Sequence, residues 1–241
     1  AGGDVGTGRM AEPEEIADEA ASMLDRPLEG LSVLVTAGGT REALDPVRYI
    51  GNRSSGKMGH AIAREAARRG AEVHLVTTAP PPVGPGLEVH QVESAQEMLE
   101  AVEKVTPQVA VFAAAVADFR PAGPSPEKLA RADGPPPITL EPTPDILGSV
   151  VARGDGTFTV GFAAETGGPQ RAVDKAARKG VDLLVYNDVT APDSGFGSDT
   201  NRVVIVHRDL TTEEWPVLPK QEVAARLWDL IAERLPHAGD G

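Results

Sequence analysis

The segments Thr36-Ala-Gly-Gly-Thr-Arg-Glu42 and Asp45-Pro-Val-Arg-Tyr-Ile-Gly-Asn-Arg-Ser-Ser-Gly-Lys-Met-Gly59 contain the materials of an anion site. Gly38 and Gly39 permit a tight turn, and Asn52, Ser54 and Ser55 supply polar groups. A helix beginning just beyond Gly56 would aim unpaired backbone N–H groups, and the positive end of its dipole, at a phosphate or carboxylate. Further polar residues follow apolar runs: Asp118, Glu165, Asn187 and Asp188. Each alone has the type that caps helices or makes turns; their shared position is what points to a ligand. Asp118 could serve a hydrated magnesium or a ribose hydroxyl. Lys175 and Lys179, four residues apart in a segment of helical spacing, project from one face and could clamp a polyphosphate, although lysines there also complement a helix dipole.

Two familiar phosphate motifs fit poorly. Gly51-Asn-Arg-Ser-Ser-Gly56-Lys57 matches the first seven positions of a P-loop, but the eighth, a magnesium-binding hydroxyl in that motif, is Met58. A dinucleotide fingerprint is also missing, because the strand ending near Thr36 leads into Gly-Gly-Thr rather than Gly-x-Gly-x-x-Gly.

The elements that must position these residues alternate. Apolar strands are predicted at 31 to 36, 72 to 77, 87 to 92, 109 to 116, 157 to 163, 181 to 186 and 202 to 207. Helices are predicted at 57 to 69, 94 to 104, 144 to 152, 169 to 179 and 220 to 234. Strands such as 109 to 116, apolar on both faces, predict an α/β fold, a Rossmann-like, doubly wound, mainly parallel sheet covered by helices, with ligands at the strand carboxyl ends. The pattern breaks at a proline-rich stretch, 120 to 137, which with a strand near 138 to 141 reads as a projecting flap or arm over about 119 to 141. Residues 1 to 30 differ in composition and read as a linker or the tail of something else, leaving 31 to 241 as the main domain.

Composition narrows the function. The 241 residues suffice for one full core. A formal net charge of −13 argues against general nucleic-acid binding. No apolar run has membrane-spanning length and no signal peptide is indicated, so a soluble, cytoplasmic protein is expected. With no cysteine in the chain, any thiol in the chemistry belongs to a substrate. The five histidines show no metal-ligand spacing, and none is assigned a role.

Taken together, these blocks resemble the phosphopantothenoylcysteine synthetases, the second half of the bifunctional bacterial coenzyme A biosynthesis flavoprotein. Besides the two glycine segments, the resemblance rests on Ala113-Ala-Ala-Val-Ala-Asp-Phe-Arg-Pro121, Pro126-Glu-Lys128, Pro144-Asp-Ile-Leu147, Val160-Gly-Phe-Ala-Ala-Glu-Thr166 and Asn187-Asp188, and it runs from about Leu31 to Leu235. It implies a CTP-dependent ligase. CTP activates 4'-phosphopantothenate as an acyl-cytidylate with release of pyrophosphate, and the amine of L-cysteine then displaces CMP. By the family's pattern Lys128 on the flap, Lys175 and Lys179 meet the phosphates, and Asp118 serves the nucleotide or its Mg2+. Gly38, Gly39, Ser55 and Gly56 belong to the nucleotide site. Phe162 with Pro144, Asp145, Ile146 and Leu147 forms the cytosine pocket. Asn52 acts on the acyl-cytidylate, and Asn187 is a further substrate contact.

The resemblance also implies a homodimer through the arm. Gly3-Asp-Val-Gly-Thr-Gly-Arg-Met-Ala-Glu-Pro13 is similar to the tail of the preceding decarboxylase domain of the same full-length chain, with Ala1 and Gly2 where that flap typically carries a cysteine. FMN is not expected in such a fragment. After the flap lysine, Leu129, Ala130 and Arg131 replace the further lysines of bacterial relatives, and Arg131 is the residue that would substitute in charge. Two other classes are weighed: a Rossmann-type dinucleotide-binding oxidoreductase, which lacks its fingerprint here, and a noncatalytic nucleotide-binding module.

Overall fold

A computed structural model describes residues 26–82, 84–130, 134, 137–165, 168–188 and 197–235. Eight strands form the central sheet: β1 (Ser32–Ala37), β4 (Glu72–Thr77), β5 (Leu87–Gln91), β6 (Val109–Phe112), β9 (Phe158–Glu165), β10 (Leu183–Asp188), β12 (Val203–His207) and β13 (Thr212–Glu214). Three small pairs lie outside it, β2 (Arg41–Ala43) with β3 (Tyr49–Gly51), β7 (Phe119–Pro121) with β8 (Leu140–Pro142), and β11 (Thr200–Asn201) with β14 (Leu218–Pro219). The helices are α1 (Lys57–Arg68), α2 (Ala95–Glu103), α3 (Ile146–Val151), α4 (Pro169–Lys179) and α5 (Lys220–Ala232).

Across the sheet the order is β13-β12-β10-β9-β6-β1-β4-β5. The six strands from β10 to β5 are parallel and β12 and β13 are antiparallel, which bears out the doubly wound, mainly parallel sheet. Chain direction reverses its progress across the sheet between β1 and β6, the topological switch point where open α/β sheets leave a crevice.

Both faces are covered, which is why the strands read as continuous apolar runs. Val33 and Val35 pack with Ile62 of α1 and Trp228 of α5, whereas Leu34 faces Met98 of α2 and Ile146 of α3. The Trp228 indole also donates to the Ile62 carbonyl at 3.0 Å, so the largest fully buried side chain leaves no orphan N–H. Truncating Leu34, which is fully buried, would cost about 2–5 kcal/mol through lost transfer energy and a residual cavity.

The strand expected at 109 to 116 stops at Phe112. Beyond it the backbone leaves the sheet to meet the glycine turn: Ala115 donates to the Gly38 carbonyl at 2.8 Å, and Thr40 donates to the Ala115 carbonyl at 3.2 Å. Residues 113 to 117 are apolar because they pack beside the strand ends, not because they continue a strand. The arm is present as the β7–β8 pair, with Phe119 opposite Pro142 and Arg120 joined to Glu141 at 2.8 Å. The Arg131 position lies outside the described residues.

Candidate active site

Four strand ends open into one cavity of about 660 Å³. Thr36 reaches it from β1, Phe112 from β6, Phe162 and Ala164 from β9, and Asn187 from β10. The site therefore sits over the switch point, where strand connectivity alone predicts a ligand.

A glycine turn supports the cavity from behind. Gly38 has φ of 88°, the left-handed region that favours glycine. Gly39 runs so close to the next loop that a Cβ there would lie 2.5 Å from the Asn52 carbonyl oxygen. That contact seats Asn52 on the cavity wall, where its side-chain Nδ2 donates to the carbonyls of Ala115 at 3.1 Å and Val116 at 3.0 Å. Both amide protons are thereby committed, and Oδ1 is the group Asn52 has for a ligand.

Ser54, Ser55 and Gly56 continue the lining into α1. Gly56 is the residue before the helix, in a left-handed conformation with φ of 77°, and no side chain caps this end. The first turn holds no acidic residue, so the dipole's positive end faces the cavity uncompensated by carboxylate.

Cations gather around this space in a chain of net charge −13. Lys175, Arg178 and Lys179 line the cavity from α4, Lys57 from the start of α1 and Lys220 from the start of α5. Lys57 donates to Asp199 at 2.7 Å, which holds that carboxyl below its ordinary range. Burial pushes the Lys220 ammonium below its ordinary pKa, neighbouring Lys57 adds to the effect, and Asp199 opposes it. Lys179 donates to Asp145, whose other oxygen accepts from the Gly148 N–H at 3.0 Å and so begins α3.

The remaining expected residues divide cleanly. Asp118, Pro144, Asp145, Ile146 and Leu147 line the same cavity as Phe162. Gly38 and Gly39 shape it from behind without lining it, and Lys128 is exposed on the arm and does not line it. The backbone ends of β9 and β10 place Glu165 and Asp188 beside each other in register. Lys57, Arg178 and Lys220 were not singled out as phosphate ligands by sequence. Arg178 lies at a helix C-terminus, where a cation is ordinary, whereas Lys57 and Lys220 open their helices, where the dipole disfavours one; only the crossing of three helix termini over one cavity gives them a common target.

A family model described as the DNA/pantothenate metabolism flavoprotein C-terminal domain matches residues 28–235. The chain belongs to this family. Among its relatives, the coenzyme A biosynthesis bifunctional protein CoaBC of Thermococcus kodakarensis is 45% identical over 95% of the chain and 58% of the relative. The protein of that name from Bacillus subtilis is 40% identical over 99% of the chain and 61% of the relative. The chain thus spans about three-fifths of the length of these curated relatives. A solved C-terminal domain of a CoaBC is 41% identical, with a TM-score of 0.71, covering 86% of this chain and 98% of that one. The fold is shared more distantly by a Cab2 mutant in complex with phosphopantothenate-cysteine, at 17% identity and a TM-score of 0.65, over 92% of this chain and 93% of that one.

Proposed function

We propose that the chain is a CTP-dependent phosphopantothenate–cysteine ligase of coenzyme A biosynthesis. The observation that carries this reading is the cationic cavity over the switch point, ringed by Lys57, Lys175, Arg178, Lys179 and Lys220 in an otherwise acidic chain. Family membership supports it, as does the name shared by the relatives at 40% and 45% identity.

The physical problem is the approach of one anion to another. In the first step a carboxylate oxygen of 4'-phosphopantothenate attacks the α-phosphorus of CTP, and the bond to the β-phosphate oxygen breaks as pyrophosphate leaves. Charge builds on the departing phosphates, where ammonium groups and uncapped N–H groups lower the barrier. In this reading Lys175, Lys179 and the start of α1, which line the cavity, supply those groups, and Lys128 would join them from the arm. Asp118, an exposed carboxylate at the mouth, suits a Mg2+ that keeps most of its ligands from phosphate and water, and such an ion would neutralise phosphate charge.

In the second step the cysteine amine attacks the acyl carbon, the acyl–oxygen bond breaks, CMP leaves with the electron pair, and the proton shed by the amine nitrogen passes to water. Asn52 Oδ1 accepts from the incoming amine and orients its lone pair toward the carbonyl; Asn187 is a further contact at the β10 end. Cytosine would sit near Phe162 and residues 144 to 147, where backbone groups match a pyrimidine edge. Exposed Phe119, Ile138 and Leu140 give the arm an apolar surface suited to a homodimer, and a decarboxylase domain would precede this unit in a full-length cytoplasmic protein.

Pyrophosphate release with 4'-phosphopantothenate and Mg2+, measured with CTP or ATP and with or without cysteine, tests the reading. Release with CTP, carried to CMP and amide when cysteine is added, is expected. Absence of release with either nucleotide would overturn it. Binding of a nicotinamide dinucleotide in its place would favour the oxidoreductase that shares this strand order.

A further inference from the structure

His74 and His90, sixteen positions apart in sequence, become neighbours through strand register. β4 and β5 are parallel, with His74 opposite Glu88 and Val76 opposite His90. Side chains two residues apart on a strand share a face, so His74, Glu88 and His90 all project from the same side of the sheet edge. His74 Nδ1 lies 3.3 Å from one Glu88 oxygen, and His90 Nε2 lies 3.2 Å from the other. The two imidazoles stack, with centroids 5.9 Å apart and planes 22° from parallel.

Both of these nitrogens are shielded from solvent, and neither makes a hydrogen bond. They meet the carboxylate at ion-pair distance but out of hydrogen-bond alignment. A buried polar nitrogen without a partner is uncommon, and two of them converging on one carboxylate are less so. A metal ion removes the anomaly, because it takes lone pairs rather than protons. The spacing agrees with that chemistry. Ligands at about 2.0–2.1 Å from a tetrahedral zinc stand roughly 3.3 Å from one another; His74 Nδ1 has that separation from one Glu88 oxygen and His90 Nε2 from the other, so a turn of the exposed carboxylate brings a single oxygen to both.

We infer that His74, Glu88 and His90 form a binding site for a divalent transition metal, of which Zn2+ is the best match to two imidazoles and one carboxylate. All three ligand atoms lie within 4.8 Å of one another, and this is the His, Asp and Glu cluster of that kind among the described residues. Glu88 is 63% exposed at its side chain, so the fourth position opens to water. None of the three residues lines the cavity, which separates this site from the nucleotide chemistry. Bound metal would fasten the edge strand β5 to β4 and stabilise the folded chain in proportion to metal concentration.

The test is calorimetric titration of the EDTA-treated chain with ZnCl2 alone, beside His74→Gln, Glu88→Gln, His90→Gln and, as control, His207→Gln. His207 stands 3.8 Å from Glu213 and has Arg234 Nη2 3.3 Å from its Nδ1, and it belongs to no cluster of three ligand-type residues among the described residues. The expected result is one equivalent of Zn2+ bound by the parent chain, an affinity at least about tenfold lower in each of the three site variants, and no change in the control. Co2+ in place of Zn2+ should give the intense visible absorption of tetrahedral coordination, lost in the same variants. Glu88→Gln alters an exposed side chain and keeps the test valid if a histidine variant folds poorly. No stoichiometric binding by the parent, or equal binding by parent and site variants, would overturn the inference.

Discussion

The backbone N–H of Leu129 donates to Asp45 Oδ2 at 3.2 Å, and this bond ties the segment carrying Lys128 to the hairpin between β2 and β3. Arg48 completes the grip: its side chain pairs with Asp45 and donates to the Leu129 carbonyl at 2.9 Å. Ser125 N–H adds a bond to the Leu44 carbonyl at 2.9 Å. The arm lysine is therefore held by residues that do not line the cavity.

Asp45→Asn should lower the rate of pyrophosphate release, because the uncharged amide gives up the guanidinium pair and loosens the Lys128 segment. Lys128→Gln should lower the same step, and the double variant should do little worse than the poorer single. Residues that act through one another are non-additive. A double variant whose losses multiply in full would separate Asp45 from Lys128.

The same carboxylate predicts a pH dependence. The Arg48 side chain holds Asp45 well below the usual carboxylate range, burial opposes it, and the N–H groups of Val47, Arg48 and Leu129 add to the lowering. A carboxyl depressed in the folded state contributes stability that is fully present above its unfolded pKa, about 3.9, and is lost as pH falls through the folded value. The difference in melting temperature between the parent chain and Asp45→Asn should thus stay constant from pH 8 to about pH 5 and shrink in more acid solution. A difference already shrinking near pH 6 would contradict this.

How legible these features were depends on the range of the signal. The parallel strands announce themselves by apolar runs such as Val109-Ala-Val-Phe112, and the first helix by the spacing of Ile62 and Ala66. Residues 113 to 116 carried the same apolar signal but are held by the glycine turn and Asn52, contacts from more than sixty positions away in sequence. The strands of the β2–β3 and β7–β8 pairs are three residues each, and Glu42, Ala43, Gly51, Pro121 and Pro142 are types that strands disfavour, so only the neighbourhood of β8 was expected, as a strand near 138 to 141. Asn52, Asp118 and residues 144 to 147 stood in recognisable blocks. Lys220 and the His74 cluster depended on register and helix crossing, which no local window contains.

Asp145 and Lys179 give a prediction with a definite direction. Burial tends to raise the Asp145 pKa, but the Lys179 hydrogen bond, the Gly148 N–H and the charges of Lys179 and Lys175 outweigh it and hold the carboxyl below its ordinary value. At neutral pH this carboxylate offsets part of the cationic field. Asp145→Asn keeps an oxygen for the Gly148 cap and removes the negative charge, so the KM for CTP should fall a few-fold with little change in stability. Asp145→Ala removes the cap as well and should cost about 1 kcal/mol. A rise in KM for Asp145→Asn would instead mean that the carboxylate contacts the nucleotide.

Gly39→Ala tests the support behind Asn52. The added methyl would meet the Asn52 backbone, 2.5 Å from its oxygen and 3.2 Å from its carbonyl carbon, with no flexible side chain to yield. Relief requires the loop carrying Asn52 to shift. The expected cost is about 1–3 kcal/mol of stability, the usual penalty for overpacking, together with a larger loss of amide formation than of pyrophosphate release. Normal amide formation in a folded Gly39→Ala chain would show that Asn52 does not depend on this contact.

Asn52→Asp addresses the second step itself. Resemblance alone implies that the variant keeps pyrophosphate release and loses amide formation. The hydrogen bonds refine that expectation: aspartate cannot donate to the carbonyls of Ala115 and Val116, and an ionised carboxylate beside two carbonyl oxygens is repelled by them. Two hydrogen bonds at about 1 kcal/mol each set the scale of lost stability, lessened because the site is exposed. The carboxylate should swing into the cavity, where it would face the acyl-cytidylate with charge in place of the amide oxygen. Acyl-cytidylate should accumulate in a single-turnover reaction quenched with acid, while cysteine fails to consume it. Product formation at the parent rate would remove Asn52 from the chemistry, whereas loss of both steps would assign it to holding the 113 to 116 loop in place.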